Sequence, residues 1–563
     1  MTIVAAACKG GLATTVAVTA IFVGVWKGPR NSISLELIDI IDGLLDWQQG
    51  SLTYNLEESV YFKGIFAPTQ DEVNDGLGLQ LELVEGSLPR DLDGLFLRIG
   101  PNLWAEPTKR HHVFDGDGMV HTVRIKNGSA FYHNAWMRTP RLAFEQERGQ
   151  AYFGRIGELT GLTGILKAVL VHKRKVTLAG LDLDQAGLAN VAMAMLPDGR
   201  LWALADGNPA FEFRVNADGV ISTVGYNTTF KGRLSAHPKI DARSGEAFFH
   251  VSIVDGGEDG RTFLAFRRLD EHGRVQVTIP LNTSGPSFNH DPILSESYLI
   301  VLDTSVRFTP EKIAVGGGIF TFDSNYTSRV ALIPRSARTA AEVRWFDLPQ
   351  SIAWVHGLHA WEEDGGQTLK LWAPLGFESD AQEKGKVLDG CCDKWYMAEV
   401  RLDLRPGGEA ARITVVDPEG LHNGEFTRLR DDLAGAGPAR FGYTAAQMEN
   451  STADFGFNGF TKWDMEGSKV SGEFRVPDGW LSGEPVFIPS SSPSGDPSDD
   501  GFIGNFLYGP HPDSTDFAIW DARIFSGKPV ARLRVPKRVP VGFHGAWLTA
   551  GQLSSHLARH DER

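Results

Sequence analysis

The sequence predicts an all-β protein, and three observations carry that expectation. From about Phe62 onward, runs of strand length recur: GLFLRIG, MVHTVRI, RLWALA, EAFFHVSI, RVQVTI, LKLWA, YMAEVRLDL and FAIWDA, several of them alternating. Between them fall Pro197-Asp-Gly199, Ala217-Asp-Gly219, Ser244-Gly245 and His272-Gly273, which are turn sequences suited to hairpins. The 63 glycines supply further positions for tight turns. Many short strands at regular spacing imply a sandwich, a barrel or a propeller, and no clear internal repeat chooses among the three.

The bulk numbers narrow the function. A length of 563 residues would accommodate three or four ordinary domains, although single all-β domains also run long. The 70 acidic against 55 basic residues give a net charge of −15, which argues against a nucleic-acid partner. Only three cysteines occur, Cys8 and the adjacent Cys391 and Cys392. They form neither a disulfide framework nor a zinc-ribbon spacing, so a reducing compartment fits best.

Taken in order, residues 1–34 hold no Asp or Glu, and Gly11 to Trp26 is small or apolar throughout. That run is short for a bilayer span, which needs about 20 residues. It reads as a targeting or membrane-anchor segment, with a plastid or other organelle favoured over free cytoplasm. Residues 35–61 have helical periodicity and form a lead-in, and 62–550 form the β domain. One segment breaks the strand pattern: Leu159, Leu162, Ile165, Leu166, Val169 and Leu170 share a helical stripe within 157–171, followed by the basic run His172–Lys175. An apolar stripe beside a basic cluster suits a helix lying in a membrane interface; the alternative is a helix packed inward beside a solvated charge run. Residues 489–501 read as a flexible surface loop, and 551–563 as a polar, frayed tail.

Four histidines stand in constrained contexts: His237 in SAHPKID, His290 in FNHDP, His356 in WVHGLHAWEE and His544 in VPVGFHGAW. Neighbouring prolines restrict the backbone near His237, His290 and His544, and glycines flank His544 and follow His356. None lies at helical metal-ligand spacing from another, so a shared site would have to be assembled by the fold. Four imidazoles without a thiolate suit a borderline first-row metal such as Fe(II), Zn(II) or Cu(II). Asp115 and Asp117 in FDGDGM fit a tight structural turn better than a metal loop. His111, His112 and His121 are read as structural or as lining near the cleft. There is no P-loop, no G-x-S-x-G elbow and no HExxH.

SAHPKID…SGE (235–246), NHDPILSESY (289–298), VHGLHAWEE (355–363) and VPVGFHGAW (539–547) resemble, in order, the iron-ligand motifs of the carotenoid cleavage oxygenases. GLFLRIGPN (94–102) and HVFDGDGMVHTVRI (112–125) resemble that family's N-terminal signature, and the likeness runs from about Glu85 to Leu548. It implies a seven-bladed β-propeller with iron on the central axis and a helical dome over one face. It also implies that His237, His290, His356 and His544 hold Fe(2+), and that Asp206, Glu425 and Glu484 orient them. Two residues depart from the family pattern. Asp206 stands where the family usually has Glu, so its contact to a histidine is expected to be longer or made through water. His359 stands where many relatives carry Asn, and the family's H-x-x-N-A-W-E pattern selects His356 as the ligand.

The expected function is therefore an Fe(II)-dependent dioxygenase that cleaves a C=C bond of a carotenoid or apocarotenoid into two carbonyl products. Its partners would be an apolar polyene in a dry tunnel, O2, and a membrane surface touched through 157–175, with no nucleic acid and no obligate protein partner. The competing readings are cleavage of a phenolic stilbene, a retinoid isomerohydrolase-like reaction, a non-catalytic propeller scaffold and a zinc hydrolase. Oxygen consumption separates the oxygenases from the last two.

Overall fold

The computed structural model describes residues 35–49, 64–105, 111–227, 232–253, 262–377, 394–408, 410–448, 456–511 and 514–561. The expected targeting segment 1–34, the end of the lead-in and all three cysteines lie outside the described residues.

Seven antiparallel sheets follow one another along the chain as the blades of a propeller. Blade 1 is built on Gly94–Asn102, Asp117–Lys126 and Ser129–Trp136. Blades 2 to 4 span 192–226, 239–281 and 293–347; blades 5 to 7 span 352–415, 423–475 and 486–535. The ring is closed twice. Gly545–Thr549, near the C-terminus, pairs with Gly94–Arg98 of blade 1, and Glu82–Gly86, near the N-terminus, pairs with Ala531–Arg534 of blade 7.

This architecture has an apolar layer at each interface between blades rather than one central core. Blades 1 and 2 meet through Leu95, Leu97, Leu201 and Phe213, and blades 7 and 1 through Phe517, Phe506 and Phe96. A sheet covered on both faces must be apolar on both, so Gly94–Asn102 is buried along almost its whole length. The strands and turns read from the sequence all fall on this framework, each turn joining two antiparallel neighbours.

Helices gather around 140–178. Thr139 accepts a hydrogen bond from Leu142 N, Pro140 sets the first helical φ, and Gly149 ends the helix in the left-handed region. The segment predicted at 157–175 is helical, with a π turn at Lys167–His172 between Gly161–Leu166 and Lys173–Leu178. The face it buries differs from the predicted stripe. Val171, Val176, Lys167 and Lys175 are buried, whereas Leu162 is exposed and Leu159, Ile165 and Leu166 are only partly covered. Two causes act together. The π turn adds a residue and rotates the face, and helix Leu35–Gln49 brings carboxylates: Lys167 Nζ lies 2.5 Å from Asp46, and Lys175 Nζ 2.6 Å from Asp42.

Two peripheral expectations are corrected. Residues 550–561 form a helix rather than a frayed tail, with Leu553 and His556 buried. The 489–501 stretch is a loop, but it is tied down: Ser498 and Asp500 are buried, and Phe441 N and Tyr443 Oη donate to Ser498 at 3.0 Å.

Candidate metal centre

Every blade contributes one residue to a single cluster. His544 stands immediately before the closing strand of blade 1, and His237 and His290 stand just before the first strands of blades 3 and 4. His356 lies in the gap between Ile352–Ala353 and His359–Glu363, both of which pair with the next strand of blade 5. Asp206 follows a strand of blade 2, Glu425 lies on the first strand of blade 6, and Glu484 precedes that of blade 7. A propeller brings these ring-facing edges together although the seven residues are spread over more than 300 positions.

One ligating atom from each of the four histidines lies within 4.8 Å of the others. His237 Nε2 and His290 Nε2 are 3.0 Å apart, and His356 Nε2 and His544 Nε2 are 3.2 Å apart. The rings meet edge to face, with the His237 and His544 centroids at 4.4 Å.

The carboxylates fix the tautomers. His290 Nδ1 lies 2.5 Å from Asp206 Oδ2, His544 Nδ1 lies 3.0 Å from Glu484 Oε1, and His356 Nδ1 meets Glu425 Oε2. An ionised carboxylate only accepts, so each of these Nδ1 atoms carries the proton and each Nε2 presents a bare lone pair. The Nε2 atoms of His356 and His544 are then two acceptors facing one another at 3.2 Å. Such an arrangement is unfavourable unless a cation lies between them, so a metal ion fits this donor set.

Each carboxylate also holds backbone. Asp206 Oδ1 accepts from Ala236 N at 2.8 Å, which couples the His237 loop to the acid that orients His290. Glu484 Oε2 accepts from Gly545 N at 2.7 Å, and Glu425 from His356 N at 3.3 Å. The Asp206 contact is thus direct and short, contrary to the expectation of a longer or water-mediated one. The backbone approach absorbs the missing methylene.

Electrostatics favour the neutral imidazole at His237 and His544. Burial, then the other histidines, hold His237 well below 6.5. Burial takes His544 down to about 4 against the pull of Glu484. Burial also acts against charge on His356, but Glu425 outweighs it and raises that group. Glu484 is buried, which favours its neutral form, yet Arg428 and His544 hold it down at about 2.

His359 is outside the cluster. Its Nε2 lies 2.8 Å from Gly437 O and its ring packs on Trp361. Asp115 accepts from Ile156 N and Gly157 N at 2.7 and 2.8 Å, which pins the helical region to blade 1 in the structural role expected. His121 is buried against Tyr132 Oη at 2.7 Å.

Sequence reasoning missed a further layer. Asp291 bridges three of the histidine loops: Lys239 Nζ lies 2.6 Å from its Oδ1, and Gly357 N donates to its Oδ2 at 3.1 Å. Arg428 Nη1 lies 3.5 Å from Glu484 Oε1. Asp291 lies within NHDPILSESY and Arg428 three residues after Glu425, so a charge beside a histidine or glutamate was the available signal. A cavity of about 300 Å³ lies under the helical region, lined by Arg141, Tyr152, Phe153, Arg155, Val171 and Asn208 among others. Asn208 is two residues from Asp206.

A sequence profile described as Retinal pigment epithelial membrane protein matches residues 66–549. The chain is 30% identical over 545 residues to a carotenoid 9,10(9',10')-cleavage dioxygenase 1 of Phaseolus vulgaris, covering 93% of this chain and 95% of that one. Its fold is similar to the crystal structure of a Pseudomonas brassicacearum lignostilbene dioxygenase, with TM-score 0.72, 20% identity, and coverage of 88% and 99% of the two chains. A variant of the Synechocystis apocarotenoid oxygenase superposes with TM-score 0.67 at 21% identity, covering 86% and 97%.

Proposed function

The chain belongs to the Retinal pigment epithelial membrane protein family of carotenoid cleavage oxygenases, and from that premise we propose that it is an Fe(II)-dependent dioxygenase acting on a carotenoid or apocarotenoid. The observation that carries the reading is the convergence of four imidazoles, three with Nε2 bared by a carboxylate on Nδ1.

His237, His290, His356 and His544 would hold the iron, and Asp206, Glu425 and Glu484 would orient His290, His356 and His544. Four neutral ligands leave the ion its full charge, and Fe(II), when bound, supplies the electrons that activate dioxygen without flavin or nicotinamide. Both atoms of O2 go into the product: one C=C bond breaks and two C=O bonds form. The protein's share is positioning. An apolar polyene shows little for hydrogen bonds to grip, so shape and exclusion of water must place one double bond at the site. Similarity to the Phaseolus vulgaris carotenoid cleavage dioxygenase over nearly the whole of both chains favours a polyene over a stilbene.

The test is aerobic and anaerobic turnover of Fe(II)-reconstituted protein on a detergent-dispersed carotenoid, with a phenolic stilbene in parallel. Bleaching of the polyene that requires iron and oxygen, is lost in His237→Ala and His544→Ala, and yields aldehydes or ketones supports the proposal. Turnover of the stilbene alone would replace the substrate class, and zinc in place of iron would overturn the oxygenase reading.

A further inference from the structure

The first strand of blade 6, Asn423–Arg428, breaks its own alternation. Glu425 pairs with Ala445 and Arg428 with Tyr443, so three steps on this strand answer two on its partner. That is a one-residue bulge. In a regular strand, residues three apart point to opposite faces. The extra residue returns Arg428 to the face of Glu425. Phe426 takes φ 53°, a left-handed conformation that is strained for a non-glycine residue. Its ring lies 5.2 Å from both the His356 and His544 rings. One strained bulge therefore serves two histidines, with Glu425 on His356 directly and Arg428 on the carboxylate behind His544.

Arg428 stands between two acids. Nη1 is 3.5 Å from Glu484 Oε1, and Nη2 is 3.0 Å from Asp431 Oδ1. Its side chain is 16% exposed and that of Glu484 is 3% exposed, whereas the Asp431 side chain is 63% exposed. The remaining charges nearby are Asp206 and Glu425 behind their own histidines and the Lys239–Asp291 pair, which cancels. Three carboxylates thus sit one imidazole away from the position a metal would occupy, and Arg428 is the cation in contact with one of them.

We infer that Arg428 is a positioning residue of this centre: through Glu484 it sets the orientation of His544 and removes negative charge from the site, favouring a divalent over a trivalent ion. The inference rests on the iron reading above. With the guanidinium gone, Glu484 donates more electron density through His544 and the site gains one net negative charge. Fe(III) is then held more tightly relative to Fe(II), on the order of tenfold.

The experiment is a mediated redox titration of the full-length, iron-loaded protein, read by the electron paramagnetic resonance signal of Fe(III), for wild type, Arg428→Gln, Arg428→Lys and Asp431→Asn. The midpoint is expected to fall in R428Q, to recover most of the way in R428K, and to rise in D431N, where Arg428 acts on Glu484 alone. D431N alters an exposed side chain, so it reads the same interaction if R428Q does not fold. Equal shifts in R428Q and R428K, or an unchanged or lowered midpoint in D431N, overturn the inference while wild type binds iron. A wild-type protein that takes up no iron overturns the underlying reading, and the inference with it.

Discussion

His290 Nδ1 lies 2.5 Å from Asp206 Oδ2, closer than the longer Glu484 comes to His544 at 3.0 Å. The aspartate reaches because its other oxygen accepts from Ala236 N, which draws the blade 2 and blade 3 loops together. The space between Asp206 and His290 is therefore already filled. Asp206→Ala is expected to lower Fe(II) affinity by about 10–100-fold, the usual effect of losing a partner behind a metal-ligating imidazole. Asp206→Glu, although it restores the family's usual residue, is expected to lower affinity as well, because an added methylene must displace His290 or the Ala236 contact. Anaerobic chelator competition measures both. An Asp206→Glu protein that binds iron more tightly than wild type would sink the argument.

His359 gives a prediction about acid stability. It is 1% exposed, and burial lowers its pKa to about 4 against the contact to Gly437 O. The unfolded chain binds this proton near pH 6.5 and the folded chain does not, so stability falls as pH drops through the window from about 6.5 to 4. Between pH 7 and pH 5 this one group removes about 2 kcal/mol. In His359→Asn the difference in urea-unfolding free energy between the two pH values should shrink by about that amount. Iron stoichiometry should be unchanged, whereas His356→Ala should lose the metal.

The apolar surface beside the helical region is the face that a lipid contact would use. Leu37, Ile40 and Leu44 are exposed along one face of helix Leu35–Gln49, which packs on 171–178, and Leu162 and Ile156 are exposed close by in the chain. No helix among the described residues is long and apolar enough to cross a bilayer, and an exposed apolar helix face of this kind would suit contact at the interface. Ile40→Glu and Leu162→Glu should each reduce partitioning onto anionic vesicles by about tenfold, measured by co-sedimentation, with the melting temperature unchanged. Undiminished partitioning of the double variant would rule this face out.

Much of the site was legible in the sequence because rigid local chemistry marks it. His237 precedes a proline and His544 stands between Gly542 and Gly545, whereas Asp206, Glu425 and Glu484 were assigned from the family resemblance. The strand runs were legible for the same reason: hydrophobic period and turn chemistry are local. What failed to read was relational. Nothing in GEFTRL announces that Phe426 adopts φ 53° and carries Arg428 round to Glu484. The basic run ending at Lys175 read as membrane-facing or solvated because the carboxylate partner of Lys175, Asp42, lies more than 100 residues away, on Leu35–Gln49. The length of the Asp206 contact was set by backbone approach, which side-chain size alone does not report.

The C-terminal helix, like Pro140–Arg148, carried a signal that was present and passed over. Thr549 and Gln552 form a reciprocal cap: Gln552 N donates to Thr549 Oγ1 at 3.2 Å, and Thr549 N donates to Gln552 Oε1 at 3.0 Å. The cap starts the helix directly after the strand that closes blade 1, and the helix then lays His556 into blade 2. There His556 Nδ1 donates to Gly199 O at 2.6 Å and Nε2 accepts from Val215 N at 3.1 Å. A neutral imidazole in this tautomer satisfies one carbonyl and one amide together. His556→Ala leaves both without that partner in a fully buried position, at a cost of about 2–4 kcal/mol. Thr549→Ala, which removes only the cap, should cost about 1 kcal/mol. The same strand carries His544 immediately before it, so loosening it should also weaken iron binding: His556→Ala is expected to lose Fe(II) affinity, Thr549→Ala far less. Urea unfolding and chelator competition on the two variants decide the matter, and a destabilised His556→Ala protein that keeps wild-type iron affinity would separate the closing strand from the metal centre.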